Sequence, residues 1–163
     1  MRFLTKNKFA ELFYHPGLRK QFQSLFQAQL EEFLRLFGRA PSHFDGHHHM
    51  HLCANMLLGR VIPAGEKIRR SFSFFPGQKG WINHGYRWLV HKWIRQNYLS
   101  TDFLFALPDC VRFRGFDLVV ALARRANVEL ETHPEEFADS EWLLSDASAR
   151  MRATVEMGSY ALL

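Results

Sequence analysis

From Leu18 to Phe37, apolar side chains recur at Leu18, Phe22, Leu25, Phe26, Leu30, Phe33, Leu34 and Phe37, with Gln, Lys, Glu and Arg between them. That three- and four-residue spacing predicts an amphipathic helix, closed by Gly38 as its C-cap. Ahead of it, Met1 to Pro16 reads as a short helix or irregular lead-in, broken at Pro16-Gly17. Behind it, Pro41 opens a His-rich segment running to His51 that reads as a strand. Alternation then places His43, Asp45, His47, His49 and His51 on one face, and Phe44, His48 and Met50 on the other. A strand ending near His47 would spread the later residues around its C-terminal mouth.

The remaining pattern alternates helices and strands. Leu52–Leu58 is a short helix closed by Gly59, and Lys67–Phe74 a weakly alternating strand ended by Pro76-Gly77. Gln78 to Gly85 is a loop. Tyr86–Tyr98 is a helix with Tyr86, Leu89, Val90, Trp93 and Ile94 on one face. Thr101–Leu107 is a strand broken by Pro108, and Phe116–Ala126 a helix with Phe116, Val119, Val120 and Ala123 inward. Val128–Pro134 is a strand ending in His-Pro, and Glu135–Arg152 is mostly helical. Strands separated by helices imply βαβ crossovers, an α/β class and a parallel sheet. The strand ends near His47 and His133 then share the C-terminal edge, where such sheets place their chemistry.

The 163 residues suffice for one domain, and 47% apolar content excludes disorder. The 16 phenylalanines suggest aromatic packing or a sugar-facing surface. A net charge of +5 mildly favours anionic partners, but the basic residues are scattered among acids, so no nucleic-acid partner is expected. Cys53 and Cys110 form no Cys-x-x-Cys pair, which excludes a zinc ribbon or redox motif. Free thiols suit a reducing compartment, and no stretch reads as a membrane span or signal peptide, so a cytoplasmic location is expected.

The candidate chemistry lies in the His-rich segment. Imidazole is the commonest metal ligand and titrates near neutrality, and a nearby carboxylate can orient it. His133, held extended by Pro134, can serve as a general acid or base, or as a strand-end histidine with a structural hydrogen bond. Arg69 and Arg70 can clamp a carboxylate or fix a loop. No dinucleotide fingerprint, phosphate-binding loop or nucleophile elbow occurs.

Pro41-Ser42-His43-Phe44-Asp45-Gly46-His47-His48-His49-Met50-His51 resembles the Pro-Thr-His-x-Asp-Ser-His-x-His-x-His signature of the YdjC-like carbohydrate deacetylases. Glu129-Leu130-Glu131-Thr132-His133-Pro134 is similar to that family's late strand ending in His-Pro. The resemblance implies a partial (β/α) barrel with a mainly parallel sheet, and metal-dependent removal of acetyl groups from N-acetylated sugars or glycolipids. It implies a divalent metal, Mg or Zn, with His47 and His49 as ligands. Asp45, His51 and Arg69 become supporting or substrate contacts, and His133 the catalytic histidine. Gly46 stands where the family usually has Ser, and no Asp-Asp pair, the family's early acidic motif, occurs in the chain. The chain therefore reads as a single domain, residues 1–163, equivalent to the C-terminal two-thirds of a deacetylase. Weak metal binding, loss of activity in isolation and homo-oligomerisation through an exposed sheet edge are the expectations. Two other readings are a non-catalytic homologue or partner-dependent fragment, and a metal-dependent hydrolase of another substrate such as a phosphoester.

Overall fold

A computed structural model describes residues 12–163; the lead-in expected before Leu12 lies outside them. The chain is α/β, with a small open parallel sheet of two strands and otherwise mostly helices among the described residues. It divides into two compact units, one drawn from the chain up to Arg69 with Trp93–Leu99, the other from Arg70–Lys92 with Ser100–Leu163.

In the first unit the apolar stripe forms helix α1, Arg19–Phe37, and Gly38 ends it in the left-handed region at φ 64°. The Gly38 N–H donates to the Leu34 carbonyl at 2.9 Å, satisfying one orphan acceptor of the last turn. Phe22 is buried against Cys53 and Val61, with Leu18, Phe26, Met50 and Met56 packed around them. The short helix α2, Ala54–Leu57, carries the buried Asn55. Its amide accepts from the His15 N–H at 3.0 Å and donates to the His15 carbonyl at 2.8 Å, so this buried polar group is bonded on both sides.

The His-rich strand does not form. Phe44 makes an isolated parallel bridge to Ile68, and the ladder stops there. His47–Leu52 is instead a kinked 3₁₀ segment in which His48 and His49 sit at φ 52° and 57°. The reason is local. The Gly46 N–H donates to His51 Nδ1 at 2.8 Å, and that side-chain acceptor replaces a neighbouring strand. The expected strand over Lys67–Phe74 likewise reduces to isolated bridges at Lys67 and Ile68, followed by extended chain.

In the second unit, strand β1, Phe103–Ala106, pairs in parallel with strand β2, Val128–Glu131, in the register Phe103↔Val128 to Ala106↔Glu131. Ahead of them in the chain runs helix α3, Trp81–Asn97, which begins earlier than the expected Tyr86 and whose residues from Trp93 on belong to the first unit. The crossover from β1 to β2 contains helices α4, Leu107–Arg112, and α5, Phe116–Ala123. Pro108 does end the strand, and it also sits in the first turn of α4, where its missing N–H has no partner to lose. Beside the sheet, the Ser73 N–H donates to the Leu104 carbonyl at 2.7 Å, but the return bond from Leu104 goes to Ser73 Oγ at 3.3 Å. The hydroxyl takes the place of a backbone carbonyl, so no third ladder is built. Phe75, Phe105, Cys110, Val119 and Leu122 form the core. Gly115 is required there, because a Cβ would lie 2.1 Å from the Phe75 ring. The helical stretch after β2 is split into α6, Phe137–Leu144, and α7, Asp146–Arg152. Ser145 causes the break by capping α7, its Oγ accepting from the Ser148 N–H at 3.2 Å. The last residues, ambiguous from sequence, form a 3₁₀ turn, Tyr160–Leu162, whose Tyr160 hydroxyl donates to Glu129 Oε2 at 2.6 Å.

Candidate functional site

The bridge between Phe44 and Ile68 places the next residues of each segment, Asp45 and Arg69, side by side. Arg69 Nη1 donates to Asp45 Oδ2 at 2.6 Å. Asp45 Oδ1 lies 3.5 Å from His51 Nδ1, and His51 Nε2 lies 2.7 Å from the Arg69 carbonyl. The proton positions follow from these partners. The Gly46 N–H can only donate, so Nδ1 accepts, and Nε2 carries the hydrogen given to Arg69. His51 is only 4% exposed. Burial pushes its pKa below the ordinary histidine value, against the pull of its backbone partners and of Asp45, and keeps the ring neutral.

The structure brings Asp45, His49 and His51 together, with ligand atoms within 4.8 Å of one another. His49 and His51 have ring centroids 5.9 Å apart. One carboxylate and two imidazoles form the mixed donor set that suits a borderline divalent ion. His51 Nε2 is fixed on a backbone carbonyl, the arrangement that sets the tautomer of a ligating histidine. Its Nδ1 already accepts from the Gly46 N–H, so His51 would ligate an ion only by giving up that bond. His47 is exposed, with its ring 3.9 Å from that of His48. A groove of about 1100 Å³ runs between this segment and α1. Phe22, Phe26 and Phe33 line one wall, and His43, Asp45, His47 and His51 the other.

His133 lies in the second unit, two residues beyond β2. Its N–H donates to Asp139 Oδ2 at 2.8 Å, and its Nδ1 lies 3.9 Å from the same oxygen. Asp139 is buried, whereas the His133 side chain is half-exposed. Sequence reasoning missed Asp139, one of several acids after Pro134. The available signal was its position in the first turn of a helix following His-Pro.

Another histidine resembles a catalytic partner but is wired otherwise. His91 Nε2 is 2.7 Å from Ser71 Oγ, while Arg70 Nη2 is 2.7 Å from His91 Nδ1. A guanidinium can only donate, so Nδ1 accepts and Nε2 carries the hydrogen toward Ser71. In this arrangement His91 cannot take a proton from that serine. Cys110 is also inert, because burial pushes its thiol up to about 12.

No curated protein and no solved structure matches the chain. The family model described as YdjC-like protein matches residues 2–157, a span that holds the His-rich turn, the parallel pair and His133. On that match the chain belongs to the YdjC-like family.

Proposed function

We propose that the chain carries its family's carbohydrate chemistry, the metal-assisted hydrolysis of the acetamide of an N-acetylated sugar or glycolipid, on a partial (β/α) barrel in the cytoplasm. One observation supports this most. The three-donor group of Asp45, His49 and His51 includes two residues of a groove wall that faces phenylalanines of α1. Such a groove combines apolar faces for a sugar ring with a few converging polar groups.

Asp45 and His49, joined by His51 once its Nδ1 exchanges the Gly46 N–H for the ion, would hold a divalent ion, with Zn the better match to two nitrogen donors. When bound, that ion supplies Lewis-acid polarisation of the acetamide carbonyl and lowers the pKa of water. The chain's own residues do the rest. Arg69 fixes the Asp45 carboxylate through its guanidinium and the His51 ring through its carbonyl. His47, exposed on the groove wall, would contact substrate or add a ligand. The family resemblance gives His133 the proton transfer to the leaving amine, and Asp139 anchors the backbone at His133.

A second reading, a homologue that binds sugar without turnover, is favoured by one feature. The single carboxylate of the three-donor group is already ion-paired with Arg69. Amine release from N-acetylglucosamine oligomers, measured with and without added Zn²⁺ or Mg²⁺, separates the two. Metal-dependent release that is lost in His49→Ala and His133→Ala supports hydrolysis. Saturable binding without release selects the second reading, and neither release nor binding overturns both.

A further inference from the structure

A second pocket, of about 340 Å³, lies wholly within the second unit, apart from the residues assigned above. Phe72, Phe74, Gln78 and Lys79 come from the extended segment and its turn, Arg87 from α3, and Asp109 and Arg112 from α4, with Phe113 at its end. The Arg87 guanidinium sits 5.4 Å over the Phe74 ring, and the Arg112 guanidinium 5.5 Å over the Phe113 ring. Both cations are thus held in place by aromatic faces before any ligand arrives.

The charge in this pocket is not balanced. Among the described residues, no carboxylate comes within ion-pair distance of Lys79, Arg87 or Arg112. The one acid of the lining, Asp109, accepts instead from Gln78 Nε2 at 2.7 Å. Gln78 is itself oriented by the Phe75 N–H, which donates to its Oε1 at 2.9 Å. The sequence explains the imbalance, since between Glu66 and Asp102 there are seven Lys and Arg and no acid. Partial burial also pulls the Arg87 pKa below its ordinary value.

Three cations against one carboxylate leave two positive charges, the complement of a phosphate monoester near neutrality, which carries about −1.5 to −2. A carboxylate would neutralise only one. We propose that this pocket binds the monophosphate of a sugar-sized molecule, with the guanidinium groups of Arg87 and Arg112 and the ammonium of Lys79 on the phosphate oxygens and the phenylalanines against its body. The proposal does not depend on the deacetylase reading.

Isothermal titration of the full chain tests it with three probes, glucose-6-phosphate, inorganic phosphate and glucose. Saturable binding of glucose-6-phosphate is expected, weaker for phosphate, absent for glucose, and weakened by salt. Arg112 is exposed, so Arg112→Met leaves the fold intact and should weaken binding about tenfold or more, the scale of one lost charge-assisted hydrogen bond. Asp109→Asn keeps an acceptor for Gln78 but removes the opposing charge, and should tighten binding several-fold. Misfolding cannot imitate that gain. Absence of saturable binding by either phosphate probe, equal affinity in wild type and Arg112→Met, or weaker binding in Asp109→Asn would each overturn the proposal.

Discussion

His51 ties together the turn that carries the candidate site, and replacing it should be felt as strongly as a core deletion. The imidazole accepts from Gly46 at 2.8 Å and donates to the Arg69 carbonyl at 2.7 Å, at 4% exposure. His51→Ala removes both bonds and leaves two backbone groups in a partly buried place. Each such unsatisfied group costs about 1–3 kcal/mol. Allowing water to reach the half-buried Gly46, we expect a loss of roughly 3 kcal/mol, a large part of the ~5–15 kcal/mol that holds a typical domain. Urea unfolding followed by far-UV circular dichroism measures it from the midpoint at unchanged slope. His47→Ala is the control. That side chain is exposed, and surface substitutions usually stay within about 0.5 kcal/mol. A His51→Ala loss of under about 1 kcal/mol, or an equal loss in the control, would refute the view that the Gly46 and Arg69 bonds hold the turn.

Three further outcomes follow from the same geometry. His49→Ala and Asp45→Asn should each weaken Zn²⁺ binding in calorimetry by about tenfold or more, since losing even an outer-shell partner has that effect; unchanged affinity would remove the residue from the ligand set. In the metal-free protein, the folded pKa of His51 lies below its unfolded value of about 6.5. The unfolded chain then binds more protons in acid, so stability is full above that pH and falls as pH drops toward the folded pKa. His51→Phe should flatten this dependence in urea titrations, and an unchanged slope would show that another group controls it. Gly115→Ala should cost about 1–3 kcal/mol by overpacking Phe75, and a thermal midpoint equal to wild type would show that this contact relaxes freely.

The elements with strong periodicity were legible in the sequence. The α1 stripe and its Gly38 cap are local features, and the helices between β1 and β2 imply the parallel pairing observed. The His-rich turn was not legible, because alternation of polar residues does not say which backbone group finds a side-chain acceptor. Gly46 donates to His51 rather than to a strand, and two histidines accept left-handed backbone to permit it. Ser73 hid its role in the same way, through a hydroxyl competing for a backbone bond. Of the candidate residues, alternation put Asp45, His49 and His51 on one face, and the structure does bring these three together, but on a kinked 3₁₀ turn rather than on a strand. Asp139 was invisible for a further reason. Glu135, Glu136, Asp139 and Glu141 read alike as solvated charges, and only packing selects the one that is buried.

The convergence at Asp45 needs no sheet, only one bridge. The Phe44 N–H donates to the Lys67 carbonyl at 2.8 Å, and the Arg69 N–H donates to the Phe44 carbonyl at 3.0 Å. Those two bonds flank Ile68, whose side chain is fully buried. Arg69 then has both of its polar ends committed, the guanidinium to Asp45 and the carbonyl to His51. A carboxylate and an imidazole from the His-rich turn are thereby referred to one backbone position, which limits the rotamer freedom that would otherwise be lost on binding. The same geometry sets a limit on the site. Asp45 has two oxygens, and with Oδ2 shared with Arg69 the less committed one is Oδ1, which faces His51. Arg69 therefore places the donor group and weakens its only negative charge at once, which is why metal affinity and turnover have to be measured as separate quantities in this protein.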